Sequence, residues 1–428
     1  MPASRRWSFP QFPQSDLDRQ VLALCSPRSN GLLGCAPDVL RKELERGLPA
    51  STPPGGADAD ALLTRAEALG LFPLAFHRLR RAGATFASGW EERFRANGAR
   101  NLYLHHEQTR LLAELSSAGV CAAPLKGTSL AELAYGDLAL RSAGLDLDLY
   151  VSPHDLPAAI ERLEALGYRL PNPGAVPAAL LARTGDEFTS ECQLVADRDG
   201  IPVLLELHWR ILPLSDGELR AALAAQTPPQ LPPELNLLYL CLKAATQRWG
   251  SLKLLADLAH WLERQPRSNS LPRLAPSGDR KQLERGQPPD WESALSLARR
   301  LGLRRIVCLT LDALGVYFGV QAPAAVGAAL ASARPRSLPA AAVANPFLPF
   351  QTLSPAVHHR LRLALRERFR DRARYAARLL RPTAGDLAAL PLPRGLGFLY
   401  WGVRWLRLSG LLKNGWKRQP RSLGAAHP

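Results

Sequence analysis

Three acidic side chains stand inside stretches that otherwise read as buried strands. Asp146 and Asp148 alternate with leucines in LDLDLYV, residues 145–151, and Glu206 stands between Leu205 and Leu207 in VLLELHW, residues 203–209. Successive strand side chains point to opposite faces, so Asp146 and Asp148 project together while Leu145, Leu147 and Leu149 are expected to bury. Two carboxylates held that close repel unless a cation intervenes. Oxygen ligands at this spacing suit Mg²⁺ or Mn²⁺. Glu206 supplies the third acid that a two-metal phosphoryl-transfer centre needs, and His208 shares its strand face. Plainer readings exist: an edge strand with solvent-facing aspartates, a Glu206 paired with an arginine, and a His208 packed beside Trp209.

Upstream, Lys126-Gly127-Thr128-Ser129 joins a strand to a helix. Glycine permits close backbone approach, the hydroxyls and helix N-terminus offer donors to phosphate, and Lys126 adds positive charge. The GxxxxGK[ST] spacing of a Walker loop is absent. Arg141, in the loop before the aspartates, either reaches a nucleotide phosphate or is simply solvated.

These residues need elements to position them. Helices are expected at Asp16–Cys25, at Ala36–Arg46, and from Asp58 to Leu79 with a division at Pro73. A further helix is expected over Trp90–Ala118, where Leu104, Leu111 and Leu115 fall at helical spacing. Val120–Leu125 reads as a strand. Thr128-Ser129 can cap a short helix through Leu133, ended by Tyr135-Gly136-Asp137, and the helix after the aspartate strand is expected over His154–Leu166. Glu187–Val195 and Ile201–Trp209 form two strands joined by a turn at Asp197-Arg198-Asp199-Gly200. Beyond Pro228 the pattern is helical: Leu235–Leu262 with a break at Gly250, a polar loop over 264–290, Trp291–Phe318, an Ala/Pro-rich passage over 321–350, and arginine-studded helices between 355 and 381. Four regions follow: 1–89, helical after a flexible start; 90–227, the α/β core; 228–320, helical; and 321–428, helical with a basic aromatic tail.

The 428 residues are 46% hydrophobic, which excludes wholesale disorder. A formal net charge of +16 favours anionic partners without choosing among nucleotide, nucleic acid and membrane surface. Six cysteines lie far apart with no CxxC pair, which argues against a zinc ribbon or a disulfide scaffold and reads as reduced thiols of a cytoplasmic protein. Neither a signal peptide nor a run of apolar residues long enough to span a bilayer is recognisable.

Taken in order, Leu125-Lys126-Gly127, Tyr135, Arg141, Asp146-x-Asp148, Gly167-Tyr168 and Glu206-Leu207-His208-Trp209 resemble the nucleotidyltransferases of the DNA polymerase beta superfamily, and within it the bacterial branch of uncharacterised nucleotidyltransferases. The resemblance spans residues 90–263. The chain departs from the pattern in Gly-Thr where Gly-Ser or Gly-Gly is usual, in one extra residue between Arg141 and Asp146, and in KAATQRW, which carries Lys243 and Gln247 where histidines are usual.

The resemblance implies an α+β fold, a small mixed sheet with helices embedded in a largely helical chain. It also implies transfer of a nucleoside monophosphate from a nucleoside triphosphate to an acceptor, with release of pyrophosphate. Asp146, Asp148 and Glu206 would hold the ions. Lys126, Gly127, Thr128, Ser129 and Arg141 would bind the phosphates, and His208 would order Glu206 or approach the acceptor. The acceptor, whether small molecule, protein or RNA, is left open. Rival readings are a catalytically silent nucleotide-binding protein and a membrane-surface protein. The second draws on FLYWGVRWLRLSGLLKNGWKRQP, residues 398–420, where aromatic and basic residues mix as in segments that lie on anionic lipid. The same segment would equally serve as a helix docked on the protein itself.

Overall fold

The computed structural model describes residues 8–12, 14–27, 56–170, 191–198, 200–226, 228–264, 289–348, 352–380, 382 and 396–408. Residues Met1–Leu361 and Arg362–Pro428 form two compact units. The expected helix at Ala36–Arg46, residues 187–190 of the expected strand, and residues 265–288 of the polar loop lie outside the described residues.

In the first unit, α1 (Asp16–Cys25) starts at a capping box in which Ser15 and Asp18 satisfy each other's backbone N–H groups. The stretch around Pro73 is divided into α2 (Gly56–Ala68) and α3 (Phe72–Arg81), with the proline in the first turn of α3, where its missing N–H costs nothing. Then come α4 (Trp90–Ser117), β1 (Ala122–Pro124), α5 (Thr128–Tyr135), β2 (Asp146–Val151) and α6 (Leu156–Ala165). The last of these begins two residues later than expected, with Asp155 at its N-cap.

Strands β3 (Glu191–Arg198) and β4 (Ile201–His208) form a hairpin that completes a four-stranded mixed sheet of order β1-β2-β4-β3. Among the described strands only β2 and β4 run parallel. One sheet face is apolar: Leu147, Leu149, Val203, Leu205 and Leu207 pack with Leu104, Leu111 and Leu115 of α4 and Ala159 and Leu163 of α6. Leu145 departs from the expected alternation. It lies before the first strand residue and is 74% exposed, because pairing with β4 starts only at Asp146.

Helices α7 (Asp216–Ala224), α8 (Pro233–Thr246), α9 (Leu252–Glu263), α10 (Trp291–Leu301), α11 (Arg304–Phe318) and α12 (Ala324–Ala331) follow. The expected helix from Trp291 to Phe318 is broken at Gly302, whose φ of +71° ends α10 in a left-handed cap. The corner between α8 and α9 is built from Arg248 and Trp249 at φ 56° and 55°, a region that residues with side chains seldom adopt. It is held from several sides. Trp249 Nε1 donates to Thr310 Oγ1 at 2.9 Å, Arg248 donates to the Ala341 carbonyl at 2.9 Å, and a Cβ on Gly250 would meet that of Ala344 at 2.7 Å.

Helix α13 (Pro355–Leu365) follows in the chain, and the second unit contains α14 (Phe369–Leu380) and α15 (Tyr400–Leu408). Within it, the Arg404 Nε donates to the Leu379 carbonyl at 2.8 Å and the Arg366 guanidinium lies 4.0 Å from the centre of the Tyr375 ring. Among the described residues, Cys25, Cys121, Cys192, Cys241 and Cys308 are free thiols, and no helix is long and apolar enough to cross a membrane.

Candidate active site

The acids face away from the apolar core because strand alternation leaves them no other choice. With Leu147 and Leu149 turned inward, Asp146 and Asp148 must point to the opposite face. Parallel pairing sets Asp148 beside Glu206 and Tyr150 beside His208. Antiparallel pairing adds a third strand, placing Gln193 beside Glu206 and Glu191 beside His208. Side chains from three strands therefore converge on one patch.

At its centre, Asp148 Oδ1 accepts from Lys126 Nζ at 2.7 Å and pairs with His208 Nε2 at 2.9 Å. The other imidazole nitrogen, Nδ1, lies 3.2 Å from Glu191 Oε2, and Nε2 lies 3.6 Å from Glu206 Oε2. Gln193 Nε2 donates to Glu206 Oε1 at 2.8 Å, which fixes that carboxylate's orientation. The side chains of Asp148 and His208 are both 2% exposed.

The electrostatics follow from this geometry. Burial disfavours an imidazolium, yet the bonds to Asp148, Glu191 and Glu206 prevail and raise His208 to about 9. Burial likewise works against a charged Asp148, but the His208 bond and the Lys126 charge bring it down to about 2. The His208 bond is also the main cause lowering both Glu191 and Glu206. The carboxylates are thus kept ionised by two cations, one imidazolium and one ammonium, placed among them.

The remaining expected residues separate into three groups. Asp146 starts β2 beside this patch, but its Oδ1 turns back toward Gly144, 2.9 Å from where a Cβ there would stand. Arg141 is buried rather than solvated. Its Nε donates to Asp257 Oδ2 at 2.8 Å, and the Tyr135 hydroxyl donates to Asp257 Oδ1 at 2.9 Å. Its carbonyl accepts from Asn97 at 3.0 Å and Asn101 at 2.7 Å, so the loop leading to β2 is tied to both α4 and α9.

Thr128 and Ser129 do not cap α5 with their hydroxyls. Gly127 is the N-cap, and the two side chains turn to Gln108 of α4, whose Nε2 donates to Ser129 Oγ at 2.7 Å. Gly127 itself has φ +68° and ψ −126°, a conformation open to glycine alone, and the space where a Cβ would project is empty. Backbone N–H groups at the start of α5 are therefore the donors this turn can offer an anion, with Lys126 beside them.

Donor atoms of Asp148, Glu206 and His208 all lie within 4.8 Å of one another. Two carboxylate oxygens and one imidazole nitrogen at that separation form a donor set that fits a divalent cation. The family described as "Uncharacterised nucleotidyltransferase" matches residues 55–319, well over half of the chain.

The chain belongs to this nucleotidyltransferase family of the DNA polymerase beta superfamily.

The family match extends the resemblance read from residues 90–263 to take in α2 and α3 on one side and α10 and α11 on the other. No curated protein and no solved structure matches the chain. Sequence reasoning passed over Glu191 and Gln193, because β3 runs on to Arg198 and the hairpin register is not the one that a turn at Asp197–Gly200 implies. With Arg198 paired to Ile201, Glu191 stands opposite His208 and Gln193 opposite Glu206. The same reasoning gave His208 a supporting part, whereas the geometry makes it one of the three clustered donors. Gln108, remote in sequence and unremarkable in type, carried no signal.

Proposed function

We propose that the protein transfers a nucleoside monophosphate from a nucleoside triphosphate to a hydroxyl-bearing acceptor, with release of pyrophosphate. The observation that carries this reading is the in-register placement of Asp148 and Glu206 on parallel strands, with His208 completing a cation-sized cluster beside the Lys126-Gly127 turn. Asp148, Glu206 and His208 would hold a divalent cation, Mg²⁺ or Mn²⁺, with Asp146 at the start of β2 beside them. Such a cation, when bound, polarises phosphoryl oxygens and lowers the pKa of a coordinated hydroxyl.

The chain's own groups do the rest. Lys126 exchanges its partner Asp148 for the triphosphate, which the N–H groups at the start of α5 also hold. The acceptor oxygen attacks the α-phosphorus, the bond from that phosphorus to the bridging oxygen breaks, and pyrophosphate leaves with the electron pair. The acceptor proton passes to solvent. Arg141 acts through the loop it anchors, because its guanidinium is engaged with Asp257.

The test incubates wild type and Asp148→Asn with each labelled triphosphate, Mg²⁺ or Mn²⁺ and a cell extract, following label transfer and pyrophosphate release. Transfer by wild type alone supports the reading. Equal transfer by both proteins removes Asp148 from the chemistry. Nucleotide binding that is indifferent to metal, with no transfer, indicates a silent fold.

A second, compatible reading concerns the Arg362–Pro428 unit. Fifteen basic residues against three acidic ones give it +12 of the chain's net +16, and it exposes Phe398, Trp401 and Trp405. Aromatic and basic side chains together suit contact with an anionic membrane surface. Leu411, Lys413, Trp416, Lys417 and Arg418, which belong to the same sequence pattern, lie outside the described residues.

A further inference from the structure

Helix α8 faces the acidic patch with two side chains that the proposed chemistry does not use. Tyr239 and Lys243 stand four residues apart, on one face of the helix. Tyr239 is 1% exposed, and among the described residues its hydroxyl has no hydrogen-bond partner. Burial most of all, and then the carboxylates of Asp148, Glu191, Glu206 and Asp146, keep that hydroxyl protonated, and it stands one turn before Lys243 on the helix face that reaches Glu191. Lys243 Nζ lies 3.9 Å from Glu191 Oε2, at the limit of an ion pair, with its side chain 24% exposed.

A buried hydroxyl without a partner is costly, and a phenylalanine would fill the same space at no such cost. The tyrosine is accounted for by an acceptor that arrives. Both Tyr239 and Lys243 are donors; among the described residues the hydroxyl has no acceptor, and the ammonium has only the 3.9 Å contact with Glu191. A water molecule could satisfy the hydroxyl, but it would bring no negative charge to Lys243. An anion whose oxygens accept from both resolves the pair. Burial and the positive charge of Lys126 both work against a charged Lys243, and an anion would offset both.

We propose that Tyr239 and Lys243 form a phosphate-binding site that holds the pyrophosphoryl end of the nucleotide against the carboxylate patch, across from Lys126. This rests on reading the patch as a nucleotide site. The phosphate would then be gripped from two sides, by the start of α5 and by α8, with the cation cluster between them. Charge supplies the discrimination: a neutral acceptor has no use for Lys243, whereas a pyrophosphate uses both donors.

The experiment measures binding of inorganic pyrophosphate, in the presence of Mn²⁺, to the full chain by calorimetry. Mn²⁺ alone is titrated in parallel. Losing a hydrogen bond to a charged group predicts about tenfold weaker pyrophosphate binding for Lys243→Met and a several-fold loss for Tyr239→Phe, with Mn²⁺ affinity unchanged in both. Lys243→Arg is expected to keep most of the affinity. Tyr239→Phe removes only the hydroxyl, so its melting temperature stays at or above that of wild type.

Wild-type affinity for pyrophosphate in both variants overturns the site. So does an equal loss of Mn²⁺ affinity, which would place the effect in the cation cluster. A wild type that binds Mn²⁺ but not pyrophosphate overturns it as well, and leaves the cation cluster standing. Lys243-dependent pyrophosphate binding without label transfer to any acceptor upholds the phosphate site and counts against the transfer reaction alone.

Discussion

Asp148 and Glu206 lie directly opposite each other on parallel strands, and His208 Nε2 stands within 3.6 Å of a carboxylate oxygen of each. In this state the imidazolium and the Lys126 ammonium do what a metal ion would do for the same carboxylates. Cation binding would therefore be an exchange of one set of positive charges for another, and four measurable consequences follow from it or from its supports.

Asp148→Asn keeps side-chain size and removes the charge that Lys126 and His208 share. Leaving two buried cations short of their anion is expected to cost on the order of 3 kcal/mol of stability. Urea denaturation should show that loss in the absence of metal. Mn²⁺ should raise the melting temperature of the wild type by binding the folded state, and in the variant that rise should be almost abolished.

The pH dependence has two limbs. His208 is raised from 6.5 to about 9, so its contribution is fully present below about 6.5 and is lost as pH climbs through about 9. Asp148 is lowered from 3.8 to about 2, so its contribution is present above about 3.8 and is lost as pH falls toward about 2. Metal-free protein should then be most stable between the two limbs, and His208→Gln should flatten the alkaline one. Coordination needs a neutral imidazole, so Mn²⁺ binding at pH 7 should release protons. Calorimetry in buffers of different ionisation enthalpy measures that release.

Gly127→Ala tests the turn. The space for a Cβ is open, so any loss comes from the backbone: φ +68° with ψ −126° costs a residue with a side chain on the order of 1–3 kcal/mol. The variant should either lose that much stability or relax the turn, and in the second case nucleotide affinity falls while the melting temperature is kept. Together, the two measurements read out which has occurred.

Asp257 is fully buried and holds both Arg141 and Tyr135. Asp257→Ala should destabilise the fold by about 3–5 kcal/mol, because it leaves the Arg141 charge buried and unpaired. Arg141→Met combined with Asp257→Leu should recover much of the loss. A double variant that regains stability and still binds nucleotide would confirm that the pair supports the loop rather than touching phosphate.

For the basic unit, a chain truncated after Arg394 should lose co-sedimentation with phosphatidylserine-containing vesicles, and salt should weaken that of the intact chain. Failure of the intact chain to co-sediment at low salt removes the membrane reading.

Period-two alternation around Asp146, Asp148 and Glu206, the change to helical period after Pro228, and the turn at Asp197–Gly200 are local properties, and each could be read from neighbouring residues. So could the facing of Asp148 away from the core, since Leu147 and Leu149 leave it no other side. Pairings between distant segments could not be read that way. That Arg141 would meet Asp257, that Thr128 and Ser129 would turn to Gln108 instead of capping their helix, and that Leu145 would fall outside the sheet all depend on where helices and strands dock. The charge on His208 depends most of all on tertiary structure. An isolated imidazole is mostly neutral at pH 7, and only the convergence of Asp148, Glu191 and Glu206 from three strands makes it a cation there.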